Sequence, residues 1–179
     1  LTLGVRDNKP TILALTDVGH DWNWTPEPTS LPLMGMAEIN GKPCIPDWQY
    51  EGATAHESSA GRSVELKFRS DTPALELDSI WRARNGPGPI EHAVVIRNRT
   101  DDTVTVHQQQ TLDVLVAGEG NTPLDLWYAD KSTPQPNDEG VYRRRIGPRC
   151  DAASIIWTST ERDHCGFIPW ACVDAGGTH

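Results

Sequence analysis

Seven tryptophans, six histidines and twenty-five carboxylates are the side chains of this chain best suited to binding or transforming a ligand. Asp21, Trp22, Trp24 and Trp48 fall in or beside segments rich in Asp, Asn and Pro, and Asp130 follows Trp127, Tyr128 and Ala129 at the end of an apolar stretch. A flat indole flanked by carboxylate and amide groups suits a sugar, whose C–H face stacks while its hydroxyls hydrogen-bond. These five residues are therefore candidates for a sugar-facing surface. Packing beneath a long loop is an equally good account of Trp22, Trp24 and Trp48. Trp81 is in phase with Leu75 and Leu77, and Trp157 and Trp170 lie within apolar runs, which marks all three as core.

No catalytic residue is assigned. Hydrolysis needs a nucleophile with a base, a metal, or a carboxylate pair. The chain has no GxSxG, HExxH or phosphate-cradling loop. Glu65, Glu76 and Asp78 alternate with apolar residues, the pattern of a solvated strand face. His56 beside Glu57 and His164 beside Asp163 are the loose acid–base pairs. Cys44, Cys150, Cys165 and Cys172 lack zinc-ligand spacing, so they are expected as buried free thiols or at most one disulfide, with no metal and no cofactor. Asn23-Trp24-Thr25 and Asn98-Arg99-Thr100 match the glycosylation pattern, which short sequences reach by chance.

Sixteen basic residues against twenty-five acidic give a net charge of −9, a field that repels phosphate backbones and disfavours nucleic acid as a partner. No apolar run approaches the roughly 20 residues of a membrane span. The first residues, LTLGVRDNKP, lack a charged segment followed by an apolar one, and both ends read as cut, which leaves the compartment open.

The elements that must position these residues are strands. Fifteen glycines and fourteen prolines in 179 residues favour short strands and tight turns over long helices. Val64, Leu66 and Phe68 alternate with Glu65, Lys67 and Arg69, and Leu75, Leu77, Ser79 and Trp81 repeat the pattern. Ile90 to Val116 reads as a hairpin around Asn98–Asp102, with Val104, Val106, Gln108, Gln110, Leu112, Val114 and Val116 on one face. Further strands are expected at Thr11–Leu15, Met34–Ile39 before an Asn40–Gly41 turn, Leu124–Ala129, Val141–Ile146, Ser154–Thr158 and Phe167–Val173. With no convincing amphipathic helix, about ten strands at short spacing predict an all-β, two-sheet antiparallel sandwich.

Five phrases in order, DWQYEGA (Asp47–Ala53), SVELKFRSDTPALELDSIWRAR (Ser63–Arg84), IEHAVVIRNRTDDTVTVHQQQTLDVLV (Ile90–Val116), LDLWYADKSTPQPNDEGVYRRRI (Leu124–Ile146) and FIPWACVDAGGTH (Phe167–His179), carry a resemblance. Together they resemble the N-terminal β-domain of glycoside hydrolase family 36, the α-galactosidase family. The resemblance implies a β-supersandwich of the galactose-mutarotase-like type, one domain over 1–179 with a loop-rich lead-in over 1–33 and the match over 34–179. It implies a parent enzyme whose two catalytic aspartates sit in a (β/α)₈ barrel that this chain does not contain. The chain alone is then inactive, and its partners are an α-galactoside-type carbohydrate, the enzyme's own barrel and a second copy in a homo-oligomer. A Gly-Asp-Phe-Arg phrase of better-known members is missing, which points to a divergent branch. Two rivals stand beside it: a free-standing carbohydrate-binding β-sandwich, and an aldose-epimerase-type enzyme needing a His and a Glu at the sugar ring.

Overall fold

In a computed structural model the described residues are 1–16, 21–86, 88–107, 112–131, 139–146 and 166–175. They are all-β and antiparallel, as the alternation predicts, with a single short 3₁₀ turn at Glu119–Asn121. Contacts divide the chain into two compact units, Leu1–Leu115 and Val116–His179.

The first unit opens with β1 (Thr2–Arg6), β2 (Lys9–Ala14) and β3 (Thr29–Ser30), which form a three-stranded sheet. The segment expected as a loop-rich lead-in therefore carries strands. Its β1–β2 turn is Asp7–Asn8, both at positive φ, the backbone that matches the twist of a tight hairpin. β4 (Ala37–Ile39) and β5 (Lys42–Cys44) follow, joined by Asn40–Gly41 at φ 48 and 75.

The framework is a four-stranded meander of β6 (Gln49–Ser58), β7 (Gly61–Asp71), β8 (Ala74–Arg84) and β9 (Ile90–Asn98). Its register stacks Phe68, Leu77 and Ile96 in one rung, Leu66, Ser79 and Val94 in the next, and Val64, Trp81 and His92 in a third. This inner face packs against Met34, Ala37 and Trp48, with Val5, Cys44 and Val104 around them. A second cluster joins Trp81 to Ile12 and Leu31. The opposite face carries ion pairs, Arg99 to Glu76 at 2.8 Å, Lys67 to Glu65 at 3.2 Å, and Arg97 to the nearly buried Asp78.

One expectation is corrected. β9 and the strand after it do not form a hairpin. β9 pairs with β8, whereas β10 (Val104–Val106) pairs with β4. The Asn98–Asp102 turn is held by Arg99 N donating to Ala74 O, and it is tied to the β4–β5 turn by Asn40 Nδ2 donating to Asp102 Oδ1 at 3.0 Å and Asn40 N donating to Thr103 O at 3.1 Å. The chain thus crosses from one sheet to the other, and Ile96 and Val104 both pack on the same core. The strand stops at Val106. Gln108 and Gln110 lie outside the described residues, and Leu112, Val114 and Val116 are not in a strand.

The second unit is a three-stranded sheet with β11 (Leu124–Lys131) between β12 (Glu139–Ile146) and β13 (Gly166–Asp174). Its strands agree with the expected Leu124–Ala129, Val141–Ile146 and Phe167–Val173. The expected strand at Ser154–Thr158 lies outside the described residues.

Phe68 is 1% exposed at the centre of the core. Phe68→Ala is expected to cost about 3–5 kcal/mol in urea unfolding, the usual loss for a buried aromatic truncated to a cavity. Ser70 Oγ is fully buried and has no hydrogen-bond partner among the described residues, so Ser70→Ala removes a desolvated hydroxyl and is expected to leave the midpoint equal or higher. A clear fall would show that Ser70 Oγ has a partner after all.

Candidate functional site

Four of the five sugar-facing candidates are in the first unit and Asp130 is in the second. Asp21, Trp22 and Trp24 share the segment after β2. There Asn23 Oδ1 accepts from Leu15 N at 2.8 Å, from Thr25 Oγ1 at 2.9 Å and from Thr25 N at 3.2 Å, and Trp24 N donates to Leu15 O at 2.8 Å. This Asn-centred turn fixes the backbone on either side of it. Asp21 is exposed, while Trp22 and Trp24 are half-buried and already hold interactions of their own. The same turn recurs at Asn98, whose Oδ1 accepts from Thr100 N at 2.9 Å and Thr100 Oγ1 at 2.8 Å. Both Asn-X-Thr segments are therefore used as turns.

Trp48 is corrected from candidate to core. It is 7% exposed, packs with Met34, Leu66 and Phe68, and donates its indole N–H to Met34 O at 2.9 Å. A buried indole needs that acceptor, so neither its face nor its N–H is open to a sugar. Asp130 is on β11, in the second unit, opposite Gly140 and Phe167; its side chain is outside the described residues. Among the loose acid–base pairs, Glu57 is occupied by Arg62 at 2.9 Å, and Asp163 and His164 lie outside the described residues. Cys44 and Cys172 are free thiols, and Cys150 and Cys165 lie outside the described residues.

Two polar assemblies escaped sequence reasoning. The first is on the inner face of the meander. Trp81 Nε1 donates to Ser79 Oγ at 3.1 Å, and Ser79 Oγ lies 3.0 Å from His92 Nε2. Ser79 Oγ accepts from the indole and shares a hydrogen bond with His92 Nε2 in which either group can donate, according to the imidazole tautomer. Burial lowers the His92 pKa, which favours the neutral imidazole. The His92 ring also stacks on Trp81, with centroids 4.0 Å apart and planes 16° apart. A serine against a histidine is nucleophile geometry. Here Ser79 is 1% exposed, and the adjoining cavity, lined by Leu31, Met34, Leu77 and Val94, is about 10 Å³. That is room for about one water and for no substrate. The triad is a satisfied core network.

The second assembly is in the other unit. Asp125 is 1% exposed and accepts from Arg145 Nε and Nη2, both at 3.2 Å, and from Arg143 Nη2. Arg143 also lies over the Trp127 ring, 5.2 Å from its centroid. The register explains this, since Arg145 stands opposite Asp125 and Arg143 opposite Trp127. Hydrogen bonds from Arg145, then from Arg143, hold the Asp125 carboxyl at a pKa of about 2. A carboxylate held so firmly as an anion is a poor proton donor or acceptor near neutral pH. Its role is to fix two guanidiniums on one face of the sheet. The sequence signal was faint: one aspartate inside LDLWY and three consecutive arginines, Arg143 to Arg145.

Among the described residues no group of three or more His, Cys, Asp or Glu could hold a metal ion. Among the described residues no helix is long and apolar enough to cross a membrane. Comparison with known proteins returns no matching family model, no matching curated protein and no matching solved structure.

Three outcomes follow from this geometry. Trp48→Phe leaves Met34 O buried without a donor and is expected to cost about 1–3 kcal/mol in urea unfolding. Because the Asp125 pKa is depressed, its stabilising contribution is complete above the ordinary carboxylate value of 3.8 and is lost as the pH falls through about 2. Acid titration followed by tryptophan fluorescence should show a loss of structure in that window, and Asp125→Asn should flatten it. His92 is also depressed, so the folded state binds fewer protons than the unfolded chain, and stability falls as the pH drops below the ordinary histidine value of 6.5. The urea midpoint should fall more between pH 7.5 and 5.5 in the wild type than in His92→Asn; equal falls would remove His92 as the cause.

Proposed function

We propose that this chain is the non-catalytic N-terminal β-domain of an α-galactosidase-like, family-36-type retaining glycoside hydrolase. In that role it supports the catalytic barrel and shapes part of the sugar site. The supporting observation is the placement of the five resembling phrases. DWQYEGA leads into β6, SVELKFRSDTPALELDSIWRAR is the β7–β8 hairpin, IEHAVVIRN is β9, LDLWYADK with EGVYRRRI forms β11 and β12, and FIPWACVD is β13. Each phrase holds or enters at least one strand, although the third continues past β9 and β10 into the non-strand residues 112–116.

Within this domain the contribution to a sugar falls to Asp21, Trp22 and Trp24. These are the candidates that the described surface leaves at least partly accessible. Ser79–His92 and Asp125–Arg143–Arg145 are consumed by internal partners, which suits a domain whose chemistry is supplied elsewhere in the enzyme.

Intact mass of the purified source protein, with p-nitrophenyl α-galactoside turnover on the same sample, tests the proposal. A mass well above 19.8 kDa with turnover is expected. In that enzyme Trp22→Ala and Trp24→Ala should raise KM for an oligosaccharide roughly two- to tenfold with kcat little changed, the scale of one lost stacking contact. A mass of 19.8 kDa without turnover overturns the glycosidase assignment. Galactoside quenching of tryptophan fluorescence in such a protein would favour the free-standing carbohydrate-binding module.

A further inference from the structure

At one corner of the meander, where β6 to β9 meet the β6–β7 turn, the outer face forms an open depression of about 260 Å³. The register sets its floor. His56, Ser63, Arg82 and Glu91 lie in one transverse row, and Gly61 stands opposite Arg84 in the row beyond. Gly61 is at φ +152, and a Cβ there would lie 2.1 Å from Ala83 O, so glycine is required where the turn closes onto β8. The rim is fixed by hydrogen bonds. Ala60 N donates to Ser58 Oγ at 3.2 Å, Ser58 Oγ to Gly61 O at 3.2 Å, and Asn85 Nδ2 to Ser59 O at 2.9 Å.

The charges in this depression are unbalanced. Arg84 pairs with Glu91 at 3.4 Å, while Arg62, which the strand alternation puts on the other face of β7, pairs there with Glu57 at 2.9 Å. On the outer face two arginines, Arg82 and Arg84, thus meet one glutamate. Among the described residues Arg82 has no hydrogen-bond or ion-pair partner, although it sits centrally between Ser63 and Glu91. On a chain of net charge −9, a concave site with a surplus cation focuses positive potential locally. A guanidinium offers a planar fork of N–H donors that matches a carboxylate or a phosphate in two parallel hydrogen bonds. Hydroxyls from Ser58 and Ser63 and the His56 imidazole line the same space and supply further polar contacts.

We propose that this depression is a binding site for a small oxyanion, with Arg82 as its principal ligand-binding residue and Arg84 flanking it. Carboxylate-bearing sugars and phosphates share the required chemistry. The site lies wholly in the first unit and does not rest on the glycosidase assignment.

Isothermal titration of the intact chain with sodium phosphate, with glucuronate, and with galactose as the neutral control tests it, chloride being used to match ionic strength. Saturable binding of phosphate, glucuronate or both is expected, with galactose silent. Arg82→Ala should weaken that binding at least tenfold, the scale of one charge-assisted fork. Arg69→Ala should leave it unchanged, since Arg69 pairs with Asp71 at the opposite end of the same face. Arg82 is exposed, so its truncation should not alter the unfolding midpoint. Phosphate alone would identify a phosphate site, and glucuronate a carboxylate site. No saturable binding, or equal binding by Arg82→Ala and wild type, overturns the proposal.

Discussion

The first unit depends on one contact surface, the inner face of the four-stranded meander against the segment from Met34 to Trp48. Phe68, Leu75 and Leu77 are each 1% exposed there, and Ala37 is fully buried opposite them. Each large side chain so buried stabilises by about 1.5–3 kcal/mol relative to exposure. The register of the sheet is set by the same contact. A slip of one residue would turn Phe68 and Leu77 to water and bring Lys67 and Asp78 inward. Trp48 closes this core through its ring and through the N–H it donates to Met34 O, which holds the chain leading into β6 against the sheet.

Polar groups on the two faces of the meander then divide by rule. On the inner face Ser79, Trp81 and His92 satisfy one another, so a hydroxyl and an indole N–H are buried, and an imidazole half-buried, without a large desolvation cost. Ser70 is the exception. On the outer face most pairs are exposed and individually worth little, about 0–1 kcal/mol. Asp78 differs because it is nearly buried, so Arg97 is needed to compensate its charge. The Arg99–Glu76 pair adds a side-chain contact between the Asn98–Asp102 turn and β8.

Elements with one buried face were legible in the sequence. β7 and β8 show the full alternation because every second residue meets the core, and the Asn40–Gly41 turn announced the β4–β5 hairpin. Alternation specifies a face and not a neighbour. For that reason Ile90–Val116 was read as two strands, with the second carried past Val106 and assigned the wrong partner. β1 escaped because Leu3 and Val5 are only half-buried and its Asp7–Asn8 turn contains no glycine. The buried role of Asp125 was hidden for a related reason. Its two partners lie 18 and 20 residues away in the chain, and pairing becomes visible only once β11 and β12 are in register.

The candidate site was less legible than the fold, and Trp48 shows why. Its neighbours Pro46, Asp47 and Gln49 are polar or turn-forming, the context that made Trp22 and Trp24 candidates, yet one carbonyl at the right distance makes it core. Composition around an indole therefore does not decide its exposure; the availability of a buried acceptor does. The converse holds for Arg82, whose strand context is that of an ordinary solvated cation. Its distinction arises from its neighbour across the strand pair: Glu91, directly opposite on β9, is drawn diagonally to Arg84. That carboxylate is thereby engaged before Arg82 is served. In the first unit the interior satisfies its own polar groups apart from Ser70, so capacity to bind a ligand is left at the rims of the sheets, in the Asn23-centred turn and at the β6–β9 corner.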